Sequence, residues 1–127
     1  MGRKNNRKKL RIPLIRQQSR YIVPQRMEIW FARLDRDNGN SVIYGNRPVI
    51  VVSNNLNNQH ADTVTVIPIT GSLKRLDLLS HVALGNVTAL TEQITTIDKK
   101  CLDRKLGYCG NAAEIEKALV NYLGMQM

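Results

Sequence analysis

Cysteine is nearly absent from this chain of 127 residues, where Cys101 and Cys109 are the only two. That excludes a small fold stapled by disulfides. The pair lacks C-x-x-C spacing and no histidine pair accompanies it, so neither a dithiol redox motif nor a zinc site is expected. Two buried thiols in a reducing cytosol is the plain reading. No apolar run approaches the roughly 18 residues of a membrane-spanning helix. Leu10–Ile15 is too short for a secretory signal and is broken by Arg11 and Pro13, while Pro13 and Pro24 interrupt any amphipathic presequence helix. The G-x-S-x-G elbow, the phosphate loop and H-E-x-x-H are all missing. His60 and His81 lie in separate segments without a cysteine or carboxylate pattern, and each reads as an ordinary histidine. No internal repeat is present.

Acidic residues are absent from the first 26 positions. These carry Arg3, Lys4, Arg7, Lys8, Lys9, Arg11, Arg16, Arg20 and Arg26, so nine of the 19 Lys and Arg residues stand there with none of the 10 Asp and Glu. The formal net charge of +9 therefore belongs to this stretch, and the rest of the chain is neutral. A block of like charge repels itself and stays solvated, poised for polyanions. Residues 1–26 are expected to form a flexible basic extension, with a boundary near Pro24–Met27. Residues 27–127 are long enough for one domain with a hydrophobic core, and the 43% hydrophobic content supports a globular fold.

Within the neutral part, Glu28–Leu34 reads as a strand followed by a polar turn over Asp35–Asn40. Pro48–Val52 is continuously apolar, consistent with a strand covered on both faces, and Pro48 is expected at its start. Asn54–Ala61, with four asparagines and His60, reads as a loop. Thr63–Ile69 alternates β-branched residues and reads as a strand, with Pro68 marking an edge or a bulge. Gly71–Ser80 is ambiguous and compatible with a short helical turn. His81–Leu84 and Thr88–Gln93 read as strands around Gly85-Asn86, and Leu102–Cys109 offers another. The clearest helix starts at Asn111, with Glu114 three residues on; its apolar positions are Ala112, Ile115, Ala118, Leu119, Tyr122 and Leu123, and Gly124 stops it. Short strands closed by one terminal helix predict a mostly β fold: a small, strongly curved antiparallel sheet or barrel.

Candidate chemistry is positional. Arg47 stands where a loop enters one strand and Thr70 where the next strand leaves. Antiparallel pairing of these strands makes the two residues neighbours at one rim. By pattern alone, an arginine before a strand is a surface charge.

Four segments add a family likeness: Glu28-Ile29-Trp30-Phe31-Ala32, Gly45-Asn46-Arg47-Pro48-Val49-Ile50-Val51-Val52-Ser53-Asn54, Val66-Ile67-Pro68-Ile69-Thr70 and Thr91-Glu92-Gln93-Ile94-Thr95-Thr96-Ile97-Asp98-Lys99. In this order, and with the closing Leu123-Gly124, residues 27–124 resemble the MazF/PemK toxins of bacterial toxin–antitoxin systems. The resemblance implies an SH3-like barrel of the CcdB/MazF kind with a C-terminal helix. It also implies a cytoplasmic homodimer that cleaves single-stranded RNA at short sequences without a metal or other cofactor. A cognate antitoxin would neutralise it, and DNA would be met only through the antitoxin complex. Carried over by position, Arg47 and Thr70 match the catalytic pair. Ser53, Asn54 and Gln93 fall where relatives line the RNA groove, as does Ser41 in the loop before the Arg-Pro motif.

The chemistry suits the first two. Attack by a ribose 2′-hydroxyl builds negative charge on a pentavalent phosphorane, and a guanidinium fork donates to two phosphate oxygens at once. One well-placed donor of this type contributes about 3–4 kcal/mol. Two departures stand out. Relatives often carry a carboxylate before the Arg-Pro motif, within Gly-Ser-Glu-Gln, whereas Gly39–Gly45 has none here. Many also place a basic residue where Thr95 stands. Two other readings follow: a non-catalytic RNA- or protein-binding module on the same fold, and a gyrase poison like CcdB, against which the Arg-Pro and Ile-Thr motifs speak.

Overall fold

The alternating and continuous apolar runs assemble into one seven-stranded antiparallel sheet in the computed structural model, which describes residues 23–35 and 41–126. The basic stretch up to residue 22 and most of the turn expected over Asp35–Asn40 lie outside the described residues. The strands are β1 (Glu28–Leu34), β2 (Gly45–Val51), β3 (Thr63–Thr70), β4 (His81–Leu84), β5 (Val87–Leu90), β6 (Thr95–Asp98) and β7 (Leu102–Tyr108). Among the described residues, α-helices α1 (Asn55–His60) and α2 (Ala112–Leu123) accompany the sheet. Strand order is β4-β5-β3-β2-β1-β7, with β6 also on β3; β4 and β7 do not pair, so the sheet curves without closing.

Pro48–Val52 is apolar throughout because its alternate side chains enter two cores. Ile50 and Val52 join Ile67, Ile69, Ala89, Cys109 and, from α2, Ile115. Val49 and Val51 join Trp30, Ala32, Leu34, Val64 and Val66 on the other face. Each fully buried valine or isoleucine among them contributes roughly 1.5–3 kcal/mol.

Both strand prolines sit where a backbone donor is not needed. β2 pairs with β1 from Gly45 to Ile50 but with β3 only from Val49 onward. Pro48 therefore lies inside the strand, not at its start, and precedes the part flanked on both sides. On β3, Thr63–Val66 pair with β6 and Ile69–Thr70 with β5. Pro68 occupies the gap between those two partners, a local edge within a central strand.

Two elements depart from the sequence reading. The asparagine-rich stretch is helical, because Asn54 caps it: its Oδ1 accepts from the Asn57 N–H at 2.8 Å, and its carbonyl from the Asn58 N–H at 2.9 Å. Five polar residues can then enter a helix whose one buried member, Asn58, is hydrogen-bonded through both its Oδ1 and its Nδ2. β6 has too few apolar residues to announce itself, and forms because β3 offers it four paired positions. The stretch read as Thr88–Gln93 divides into β5 and a 3₁₀ turn over Thr91–Gln93. Gly71–Ser80 contains turns but neither helix nor strand.

At α2, Asn111 makes no side-chain bond to the helix backbone and instead donates to Glu114 Oε1 at 2.9 Å. Gly124 ends the helix at φ 69°; its N–H reaches the Asn121 carbonyl and the Met125 N–H the Val120 carbonyl, a Schellman pattern. Ile115 and Ala118 are buried, whereas Tyr122 and Leu123 are exposed.

The folded unit includes Arg26. Its Nε donates to the Val52 carbonyl at 2.9 Å, its backbone N–H to Asn55 Oδ1 at 2.6 Å, and its guanidinium pairs with Glu116 on α2. Nearby, burial disfavours charge on Glu28, but the Gln25 N–H, the Trp30 indole N–H and the Lys105 ammonium outweigh it. Together they hold the carboxyl below its ordinary pKa.

Candidate functional site

The pairs Val49↔Pro68, Ile50↔Ile67 and Val51↔Val66 fix how β2 crosses β3. The ladder stops at Val49↔Pro68; its register, extended by two residues, would lead to Arg47 and Thr70. The antiparallel pairing anticipated from the sequence is thus present, and both residues follow the parity of the Val49–Val66 face.

Arg47 stands across from Ala32 of β1 and is half-buried. Its Nε donates to the Tyr44 carbonyl at 3.0 Å. Gly45, at φ 91°, makes the turn between the two residues, a backbone shape that a side chain would strain. One bond thus aims the guanidinium, while its terminal nitrogens have no hydrogen bond or ion pair among the described residues. Thr70 ends β3 opposite Thr88 of β5 and is 6% exposed. Thr88 is wholly buried; its hydroxyl donates to the Ser72 carbonyl at 2.9 Å and accepts from the Lys74 N–H at 3.0 Å, pinning the chain as it leaves Thr70.

Gln93 projects from the 3₁₀ turn, which is anchored by Thr91. The Thr91 N–H and hydroxyl both donate to the Ser80 carbonyl, at 3.0 and 2.6 Å. The Gln93 amide spans the segment before β2: Nε2 donates to the Ser41 carbonyl at 2.8 Å, and Oε1 accepts from the Ile43 N–H at 2.7 Å. Ser41 is exposed and meets Gln93 through its backbone.

His81 does more than the sequence suggested. Its Nδ1 lies 2.8 Å from the Lys74 carbonyl and its Nε2 3.1 Å from Glu92 Oε2, so it ties the 71–80 connection to the Gln93 turn. The other Glu92 oxygen is buried without a hydrogen-bond partner among the described residues. Beside this turn opens a cavity of about 550 Å³, whose lining includes Arg33, Asp35, Val42, Gln93, Thr95 and Cys101. Cys101 is partly exposed there, with its Sγ 3.8 Å from an Arg33 nitrogen, so only Cys109 is the buried thiol expected.

Ser53 and Asn54 do not join the Arg47 rim. They follow the far end of β2, about 20 Å along the chain from Arg47 at strand rise. Both side chains are engaged in the fold. The Ser53 hydroxyl donates to Asn58 Oδ1 at 2.5 Å and accepts from the Thr65 N–H at 3.0 Å, while Asn54 caps α1. Sequence reasoning missed the Gln93 clasp and the His81–Glu92 contact. Only sheet topology brings those partners, 50 and 11 residues apart, together.

Solved structures share this fold. An endoribonuclease from a mycobacterial species, in complex with its cognate antitoxin, aligns at 28% identity over 82% of this chain and 98% of that one, with a TM-score of 0.67. A MazF from Deinococcus radiodurans superposes with a TM-score of 0.70 at 18% identity, over 82% of this chain and 99% of its own, a likeness of fold. The Mycobacterium tuberculosis toxin MazF-mt6 does so at 0.62 and 23% identity, over 79% of this chain and 99% of its own, again in fold. The family model described as PemK-like, MazF-like toxin of type II toxin–antitoxin system matches residues 25–121. The seven-stranded sheet, the terminal helix and that match together make this chain a member of the PemK/MazF toxin family.

Proposed function

We propose that this chain is a sequence-selective endoribonuclease that cuts single-stranded RNA without a metal ion, leaving 2′,3′-cyclic phosphate and 5′-hydroxyl ends. What supports the reading is the antiparallel β2–β3 register, whose extension beyond Val49↔Pro68 leads to Arg47 and Thr70, together with an Arg47 guanidinium held through Nε. In the reaction the 2′-oxygen attacks phosphorus, its proton leaves to a base, the P–O5′ bond breaks and the 5′-oxygen takes up a proton. Arg47 contributes its terminal N–H groups to the non-bridging oxygens as charge builds on the phosphorane. Thr70 contributes a hydroxyl to one of those oxygens or to the 2′-hydroxyl. Arginine stays protonated, so the base is a different group.

The protein works as a homodimer in the bacterial cytoplasm, is neutralised by a cognate antitoxin and meets DNA only within that complex. The mycobacterial neighbour solved with its antitoxin supports the partner. With Ser53 and Asn54 engaged in the fold, RNA contact falls to the Arg47–Thr70 rim and the adjoining cavity. Gln93 lines that cavity, and the Ser41 carbonyl accepts from its amide. The test is to sequence 5′-hydroxyl RNA ends after brief expression, then to repeat cleavage with purified protein and chelator. New ends sharing a short sequence support the proposal. Stable RNA binding without new ends favours a binding module, the reading suggested by the absence of a carboxylate from Gly39–Gly45 and by Thr95.

A further inference from the structure

We infer that Gln93 is a positioning residue for Arg47, acting through the Ser41–Tyr44 backbone instead of through contact with RNA. The inference rests on the reading of Arg47 as the phosphate-binding arginine, and it begins with what holds the segment before β2. Residues 41–44 belong to no strand; Ser41, Val42 and Tyr44 are exposed, and only Ile43 packs against a core cluster. The Gln93 amide supplies what a neighbouring strand would. It donates to the carbonyl of Ser41 and accepts from the N–H of Ile43, the two groups flanking Val42, as a residue on a parallel strand does for its partner.

From there the connection to Arg47 is short. Tyr44 follows the clasped Ile43, and its carbonyl is the acceptor for Arg47 Nε at 3.0 Å. Gly45 turns the chain between them. The other end of the relay is equally fixed, since Thr91 holds the turn to Ser80 by two bonds and Glu92 meets His81. Gln93 is thus a rigid bracket whose loss frees the peptide that aims the guanidinium. Both of its polar atoms are occupied, which leaves the amide little to offer a base.

A displacement of about 1 Å at a reacting group costs roughly 10²-fold in rate. Gln93→Met, which keeps the stem and removes the amide, is therefore expected to lower the single-turnover cleavage rate 10- to 100-fold. The protein concentration giving half-maximal rate should change less than threefold. The substrate is a long unstructured single-stranded RNA, with cuts located by primer extension. Gln93→Glu keeps the acceptor for Ile43 but turns an oxygen toward the Ser41 carbonyl, so it should show the same rate-specific loss.

A second measurement does not depend on cleavage. In ¹⁵N-labelled protein the Arg47 Nε–H resonance should shift in both variants, with hydrogen exchange at least tenfold faster, while the spectrum stays that of a folded protein. Loss confined to half-saturation would identify Gln93 as an RNA contact and overturn the inference. So would an unchanged rate, or an unchanged Arg47 Nε–H. A wild-type protein that cuts nothing would instead overturn the reading of Arg47, and the resonance would still decide the role of Gln93.

Discussion

Replacing Asn58 with alanine separates a structural role for the Ser53–Asn54 patch from a role in binding RNA. Asn58 is wholly buried in α1. It accepts from the Ser53 hydroxyl at 2.5 Å and donates to the Ser53 carbonyl at 3.0 Å, while the same hydroxyl accepts from the Thr65 N–H. Truncation removes two hydrogen bonds, each worth about 0.5–1.5 kcal/mol net, and leaves two Ser53 groups unpaired at up to about 1–3 kcal/mol apiece where water does not enter. Ser53 is half-buried, so water recovers part of that, and the expected loss is about 2–4 kcal/mol. For a domain of this size that corresponds to a fall in Tm of roughly 10 °C. Denaturant titration at 25 °C and calorimetry measure it. The cleavage rate, assayed well below the new Tm, should stay within twofold of wild type because the patch lies at the far end of β2 from Arg47. An unchanged Tm with a tenfold loss of RNA affinity would refute the reasoning.

Three further outcomes follow from other parts of the fold. Because Glu28 titrates below its ordinary pKa when folded, its contribution is complete above the unfolded carboxyl pKa and is lost as pH falls through the folded one. Glu28→Gln should thus be less stable than wild type at pH 7, with the Tm difference shrinking on acidification; a constant difference would contradict this. Gly124→Ala meets no atom within 4 Å, so its cost is the left-handed backbone alone, about 1–2 kcal/mol, read as a lower Tm with unchanged cleavage. Residues 1–22 hold eight Lys and Arg, which if all met phosphates would set a log–log salt slope of about −6 for single-stranded RNA. Deleting them should flatten that slope and leave the cut sequence unchanged, as salt titration and end mapping would show.

Strands with a strong apolar pattern were legible, and their pairing followed. β1 matches Glu28–Leu34, and the unbroken Pro48–Val52 run signalled a strand flanked on both faces. Gly124 marked the end of α2 because its αL conformation suits glycine. Partner-dependent features stayed hidden. Asn54 makes a helix of an asparagine-rich stretch through a cap that propensity does not weigh, and β6 exists because β3 has a free flank. At the site, chain order sufficed to anticipate that β2 and β3 pair antiparallel, the frame that carries Arg47 and Thr70. The Gln93 clasp was out of reach, since one side-chain amide stands in for a strand across 50 residues of separation. Ser53 and Asn54 were assigned to an RNA groove through the family resemblance, and nothing in the sequence signals that their side chains are engaged in the fold. Their partners, Asn58 and Thr65, become visible only once α1 folds against β3.

The most direct test of the central claim is the single-turnover cleavage rate of Arg47→Lys. Lysine keeps the charge and removes the fork that reaches two phosphate oxygens. The predicted result is a rate lower by about 10²-fold or more with Tm unchanged, in line with the loss of one preorganised donor. A rate within threefold of wild type would contradict a catalytic role for Arg47.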